Sequence, residues 1–509
     1  MAKNHERAEA VLNREGPLVS HELANALVKG RHADNAAGAR QLIRRARKSN
    51  HIESTYPVRF DKSYLYYLQK HSGRRYAHAV KELLPKKPTF HRVFKTILAN
   101  KGWITLGQIG KASGCLPPGD TTSSGGRAPL EKVVADLLHL RLIDAIGGET
   151  SLFRIGTPFG SPEVKRAVYR KKIEFEFGLL QVFRDWVRNC YLLAYDSHTS
   201  RPDEFSATDF NQSLWDMDGP IYFGPFAKSS SLKRTASDKN FLVAEMIGFR
   251  RFTVIDAEAT IERLNSVGHR WKTISITPLV LAPSYSHDAW NRLREAGAIP
   301  LTFRDVFGPN IEELMRRFWR AIAAQEATPE SLTDIESTLK LTKGTVINEG
   351  FNEGFLGNLK GALFELVVAL AYGARGYHTT LQKKVRKPDE DEEFEIDVVA
   401  IRGDTECWLV ECKGRHAHYL EDRDDVKRHF FNRCRAAADA YGWDVINRYT
   451  KVEAIYLTSG KLHPDAAAYA KETTKSHGIS CSVIERPQLL AFLNEASQPR
   501  LVEIVNKYY

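Results

Sequence analysis

The chain has no run of 18 or more uninterrupted apolar residues, so no segment of it reads as a membrane-spanning helix. Its first residues, Met1-Ala2-Lys3-Asn4-His5-Glu6, are polar and lack an apolar leader core, so no secretory signal is expected. Cysteine is scarce, six in 509 residues, at 115, 190, 407, 412, 434 and 481, with no CxxC pair. That spacing argues against a zinc ribbon or a disulfide scaffold and makes a reducing cytoplasm the expected setting. There is no low-complexity tract and no sustained heptad pattern. What the chain does have is apolar material for several cores: 43% of residues are hydrophobic and 27% charged. At roughly 150 residues per domain, three or four domains are expected.

The positive charge is concentrated. Residues 1–160 hold 26 Lys+Arg and 13 Asp+Glu, a net of +13, whereas the remaining residues hold 47 and 49, a net of −2. Such a distribution points to a region that meets a polyanion, attached to a near-neutral remainder.

Within that basic third, Glu6–Asn13 reads as a helix closed by Gly16-Pro17. Ser20 is placed to cap a second helix through Leu27, and Asn35–Lys48 reads as a third. His51-Ile52-Glu53 and Tyr64-Leu65-Tyr66 read as two strands around a wing. The order recurs: helix Phe90–Ala99, strand Gly102-Trp103-Ile104, a capping box at Thr105-Leu106-Gly107-Gln108, a loop at Leu116–Gly126, helix Ala128–His139 and a hairpin over 142–155. Both stretches resemble winged helix-turn-helix domains, at 1–85 and 86–157. The resemblance implies DNA contact through Arg40, Arg44, Arg45, Arg47 and Lys48 of the first module and through Arg127 and Lys132 of the second. Winged helices also mediate protein contacts, which is the alternative.

Past the linker Thr157-Pro158-Phe159-Gly160-Ser161-Pro162, a mixed α/β region runs over 165–322, followed by a helical connector at 323–344 and a last domain at 345–509. The chemistry concentrates in that last domain. Leu359, Leu363, Leu366 and Leu370 recur at helical spacing in a stretch apolar nearly all round, with Glu365 in its middle. A carboxylate there costs several kcal/mol unless a cation or a metal meets it. Next, Phe394–Ile401 alternates as a strand carrying Asp397. A short turn then leads to a second strand, Cys407–Gly414, on which Leu409, Glu411 and Lys413 share a face. An antiparallel hairpin brings Asp397, Glu411 and Lys413 together, with Glu365 approaching from the helix. Carboxylates and a carbonyl are hard oxygen donors suited to Mg²⁺ or Mn²⁺, and a lysine beside them can orient a water.

These residues resemble the PD-(D/E)xK nuclease superfamily, in its Mrr-like and Holliday-junction-resolvase-like branch. The literal Pro388-Asp389 sits in an acidic run (Asp389–Glu393) that reads as loop, so Asp397 is the preferred acid. The basic helix 425–441, strand Val452–Thr458, helix Pro464–Ser476, strand Ile479–Ile484 and helix Pro487–Glu495 match the completion of that restriction-endonuclease-like fold. The resemblance implies a Mg²⁺- or Mn²⁺-dependent endonuclease. Glu365, Asp397, Glu411 and the Cys412 carbonyl would serve as metal ligands and Lys413 as the group positioning the attacking water. Cys412 itself reads as a small core residue and His416 and His418 as solvated loop residues.

The middle region echoes the last. Pro278–Ala282 followed by His287-Asp288-Ala289 resembles Ala454–Thr458 followed by His463-Pro464-Asp465-Ala466, and in Asn240–Ile247 the place of Lys413 falls to Ile247. A degenerate nuclease-like domain is one reading and an unrelated α/β domain the other. The expected whole is a multidomain α/β protein: winged helices, a middle α/β domain and a C-terminal restriction-endonuclease-like domain. The resemblance implies DNA as partner, a role in bacterial defence or DNA processing, a homodimer and accessory defence proteins as further partners. The alternatives are a non-catalytic DNA-binding regulator, a structure-specific resolvase and an RNA nuclease.

Overall fold

A computed structural model describes residues 4–120, 127–146, 149–193, 198–221, 240–270, 275–309, 311–313, 315–316, 353–386, 393–433, 449–476 and 478–509. The chain divides into two compact units, Met1–Thr302 and Phe303–Tyr509. The connector expected at 323–344 lies outside the described residues, as does the boundary expected at 322. Both units are α/β, with several helices packed on mixed sheets.

The first unit opens with two modules of one element order. The first runs α1 (Asn4–Glu15), β1 (Leu18–Val19), α2 (Ser20–Lys29), α3 (Ala36–Lys48), β2 (Glu53–Ser54) and β3 (Leu65–Tyr67), with sheet order β1-β3-β2. Asn35 caps α3 by accepting from the Gly38 N–H at 2.9 Å. Ala39, Leu42, Ile43 and Ala46 form its buried stripe, which leaves Arg40, Arg44, Arg45 and Lys48 exposed on the other faces. Ser20 is not the cap of α2. Val19 holds that position, and the Ser20 hydroxyl donates to the Tyr64 carbonyl at 3.2 Å, tying α2 to the segment that leads into β3. Strand β1, two residues long, is too short to leave a periodic signal.

Helix α4 (Arg74–Leu83) leads to the second module: α5 (Pro88–Ala99), β4 (Trp103–Thr105), α6 (Leu106–Ser113), α7 (Leu130–His139), β5 (Ile143–Ile146) and β6 (Glu149–Ile155), with sheet order β4-β6-β5. The capping box forms as the spacing requires, Thr105 accepting from the Gln108 N–H and Gln108 from the Thr105 N–H, each at 3.2 Å.

The rest of the first unit is α8 (Arg166–Asn189), β7 (Thr199–Ser200), β8 (Thr208–Phe210), β9 (Ser213–Trp215), β10 (Met217–Pro220), β11 (Asn240–Met246), α9 (Val254–Arg270), β12 (Ser275–Ala282), α10 (His287–Glu295) and β13 (Ile299–Thr302). Its main sheet is ordered β7-β10-β11-β12-β13, with the first two pairings antiparallel and the last two parallel.

The second unit contains α11 (Phe303–Phe307), α12 (Glu353–Ala374), β14 (His378–Arg386), β15 (Glu393–Arg402), β16 (Glu406–Lys413), β17 (Leu420–Glu421) and α13 (Arg423–Lys427), which passes into a π turn over Arg428–Arg433. Then come β18 (Lys451–Thr458), β19 (Lys461–Leu462), α14 (Pro464–Glu472), β20 (Lys475–Ser476), β21 (Ile479–Ile484), α15 (Arg486–Glu495) and α16 (Pro499–Tyr508). Its sheet is ordered β14-β15-β16-β18-β21-β20. The β14–β15 and β15–β16 pairs are antiparallel and the β16–β18 and β18–β21 pairs parallel. The first five of these strands have the order and direction of the middle sheet, and β20 adds a sixth, antiparallel to β21. In each case a long helix precedes the first strand, and among the described residues both parallel crossovers carry helix. The resemblance between the two regions, visible in sequence only as one strand-helix-strand unit, extends to five strands of each sheet.

Three expectations need adjusting. The helix after β16 starts at Arg423, and its described part ends at Arg433. Residues 434–441 of the expected basic helix and 389–392 of the acidic run lie outside the described residues, and Glu393 opens β15. The helix expected to Ser476 stops at Glu472, because Lys475 and Ser476 pair with β21. Strand β14 is the strand that the resemblance implies ahead of the hairpin, to which the sequence assigned no residues, and helix α16 was not foreseen.

Candidate functional site

The site is built on the β15–β16 hairpin. Val398 pairs with Val410 and Ala400 with Trp408, so Asp397 falls opposite Glu411 at the next step of the ladder. Asp397 accepts a hydrogen bond from the Cys412 N–H at 2.8 Å. Glu411 lies against the Lys413 ammonium at 2.9 Å, two residues along the same face of β16. Glu365 arrives from α12, buried at 8% exposure between Leu363 and Leu366. Helix α12 packs on β14, β15 and β16, and that packing delivers this carboxylate to the hairpin.

The three acids act on one another electrostatically. Burial lifts the Asp397 carboxyl well above the ordinary range, and Glu411 and Glu365 lift it further, against the Cys412 N–H and Lys413. Three carboxylates and one ammonium carry a formal charge of −2. The Cys412 thiol is raised as well, first by burial and then by the same carboxylates, so it is a buried thiol and not a nucleophile. His416 and His418 are exposed.

Two residues that the sequence did not single out complete the surroundings. His429 is 1% exposed, with Nδ1 3.9 Å from Glu411 Oε2. The signal was there: Val426, His429 and Phe430 lie at helical spacing and all three are buried, whereas neighbouring Lys427 and Arg428 are exposed. Glu421 is fully buried. It accepts from Tyr456 at 3.1 Å and from Thr458 and Arg415 at 3.2 Å each, which ties the loop after β16 back to β18.

Gly414 follows Lys413 because nothing larger fits. A Cβ there would sit 2.8 Å from the Phe364 Cβ and 2.9 Å from the Tyr509 ring. Gly414→Ala is expected to cost about 1–3 kcal/mol through overpacking, read as a lower urea midpoint of the C-terminal unit with an unchanged slope.

The basic residues of the N-terminal third divide into two groups. On α3, Arg40, Arg44, Arg45 and Lys48 are exposed, and Arg47 stacks over the Tyr56 ring at 4.2 Å. In the second module, Arg127 donates to the carbonyls of Gln212 at 3.0 Å and Gly114 at 3.4 Å, and Lys132 pairs with Asp136 one helical turn on. Arg127 is tied to a segment 85 residues away, a result of long-range packing that residue type could not reveal, whereas Lys132–Asp136 is a local, half-exposed pair on one helix.

Among the described residues, no group of three or more His, Cys, Asp or Glu side chains stands arranged to hold a metal ion, and no helix is long and apolar enough to cross a membrane. No family model matches the chain, and no curated protein does. Among solved structures it is similar to a protein of unknown function, AF1548, at 21% identity and a TM-score of 0.20, over 26% of this chain and 65% of that one. The chain thus spans less than two thirds of that protein's length, and a likeness of this size carries no inference.

Proposed function

We propose that the chain is a metal-dependent endodeoxyribonuclease of the PD-(D/E)xK type, restriction-endonuclease-like in its C-terminal domain, to which N-terminal winged helix-turn-helix modules bring duplex DNA. The observation that carries the reading is the meeting of Asp397, Glu411 and Lys413 on one antiparallel hairpin with Glu365 of the preceding helix. Buried charge of one sign, gathered at the end of adjacent strands, is costly and is kept where chemistry needs it. The helix–strand–helix–helix–strand–strand order of both N-terminal modules supports the winged-helix part.

Among the described residues the carboxylates do not stand as a ready metal site, but their oxygen chemistry suits a hard divalent cation, and the raised Asp397 carboxyl is what such an ion would relieve. Asp397, Glu411 and the Cys412 carbonyl, with Glu365, would hold Mg²⁺ or Mn²⁺, which supplies positive charge to the phosphoryl oxygens. Lys413 orients the attacking water beside Glu411 and takes up part of the charge that develops on phosphorus. Water adds to phosphorus, the P–O3′ bond breaks, and a 5′-phosphate and a 3′-hydroxyl remain. One such centre hydrolyses one phosphodiester at a time, so a double-strand cut takes two chains or rebinding by one, and a homodimer is the partner the first of these implies. Defence against foreign DNA, or DNA processing, is the role in keeping with this chemistry.

The deciding experiment incubates the protein with supercoiled plasmid, linear duplex, single-stranded DNA and RNA, each with Mg²⁺, Mn²⁺ or EDTA. DNA cleavage that EDTA abolishes is expected. Cleavage confined to RNA or to branched DNA would reassign the substrate. Tight DNA binding with no cleavage under any metal would leave a DNA-binding regulator on a nuclease-like scaffold.

A further inference from the structure

The middle domain shares more with the C-terminal one than strand order. Across β10 and β11, Met217 pairs with Ala244, as Val398 pairs with Val410. Asp216 then takes the place of Asp397 and Glu245 that of Glu411. The equivalence extends to single atoms: the Met246 N–H donates to Asp216 Oδ2 at 2.7 Å, as the Cys412 N–H donates to Asp397 Oδ2 at 2.8 Å. Three residues after each glutamate comes a glycine pressed against the long helix, Gly248 on Glu176 and Gly414 on Phe364. After the paired strands, Phe252 bridges Tyr285 in parallel, as Leu420–Glu421 pairs with Lys461–Leu462. Glu176 comes from α8 as Glu365 comes from α12. Ile247 stands where Lys413 does.

In the middle set each of the three acids meets a cationic side chain. Lys111 of α6 binds both oxygens of Asp216, at 2.6 and 2.8 Å. Arg201 spans Asp216 and Glu176 at 3.2 Å each, and Arg263 of α9 holds Glu245 at 2.5 Å. Three carboxylates meet three cations, all nearly excluded from water. Burial alone would raise Asp216, but Lys111 and Arg201 outweigh it and its carboxyl lies below the ordinary value, opposite to Asp397.

Lys111 belongs to the second N-terminal module, and α5 and α6 lie across this face of the middle domain. Asn100 accepts from Arg250 at 2.7 Å, Arg92 pairs with Glu262 at 2.6 Å, and Arg127 reaches Gln212. Helix α7 of this module carries Glu131 and Asp136 against Lys132, whereas α3 carries Arg40, Arg44, Arg45, Arg47 and Lys48 with no acid.

We propose that the middle domain holds a second copy of the C-terminal carboxylate site, converted from a cation site into a docking joint, with the Lys111 ammonium in the ion's place and the second module seated where a substrate would lie. The first module then carries the polyanion contacts, and the second is a protein-docking module that fixes it to the middle domain. The inference rests on geometry repeated within one chain, and it holds whether or not the C-terminal site cuts DNA.

The test uses the full chain carrying Asp397→Asn and Glu411→Gln, so that metal binding at the C-terminal site is removed, with Mn²⁺ alone as probe. Equilibrium dialysis is expected to find no bound Mn²⁺ while Lys111 is present. One equivalent bound there would overturn the proposal, since the middle site would then be a working metal centre. Adding Lys111→Ala is expected to speed hydrogen exchange in residues 88–113 and 240–246, and Mn²⁺ is expected to restore the lost protection. A cavity lined by Lys111, Glu245, Ile247 and Arg250 lies at this joint. Unchanged exchange, or loss that Mn²⁺ does not reverse, would overturn it. Should Lys111→Ala fail to fold, Lys111→Met keeps the apolar stem and is read in the same way.

Discussion

Asp397→Ala and Lys413→Ala are each expected to lower DNA cleavage by about a thousandfold or more, with duplex affinity close to that of the unaltered chain. General acid–base and electrostatic contributions of single groups are each worth on the order of 10²–10⁴ in rate. Asp397 is held by the Cys412 N–H in the middle of the carboxylate set, and Lys413 faces Glu411, so either truncation removes a group that the proposed chemistry needs. Affinity comes chiefly from phosphate contacts elsewhere and should survive. Asp389→Ala, in the acidic run before β15, is expected to leave the rate unchanged. Plasmid nicking in Mg²⁺ and fluorescence anisotropy on a labelled duplex give both readouts. If Asp389→Ala abolishes nicking and Asp397→Ala does not, the acid has been assigned to the wrong residue.

The second large effect is expected on binding. Changing Arg40, Arg44 and Arg45 together to Gln should lower duplex affinity by orders of magnitude at low salt. It should also flatten the plot of log affinity against log salt by roughly one unit per lost phosphate contact. These three side chains are exposed on the face of α3 opposite its buried stripe. Arg47→Gln should do less, because its guanidinium already stacks on Tyr56. Lys132→Gln should leave the salt slope unchanged, since Lys132 is paired with Asp136. A slope unaffected by the triple change would make the first module a protein-contact module instead.

The amino-acid sequence determined by itself whatever is settled within a few neighbouring residues. Alternation and a short turn specify the β15–β16 hairpin, and the hairpin specifies that Asp397, Glu411 and Lys413 meet. Thr105 and Gln108 specify their own capping box, and the apolar stripe of α3 specifies that its arginines face out. The tertiary structure alone decided which charges are neutralised. Lys111 and Asp216 are 105 residues apart, and Arg127 and Gln212 are 85 apart. In sequence Arg127 looks like any other arginine of the basic third, and Asp216 and Glu245 look no different in kind from Asp397 and Glu411. Periodicity reports which face of an element is buried. It does not report what comes to lie against that face, and in a buried site the Coulomb partner decides whether a carboxylate set needs a cation or already has one.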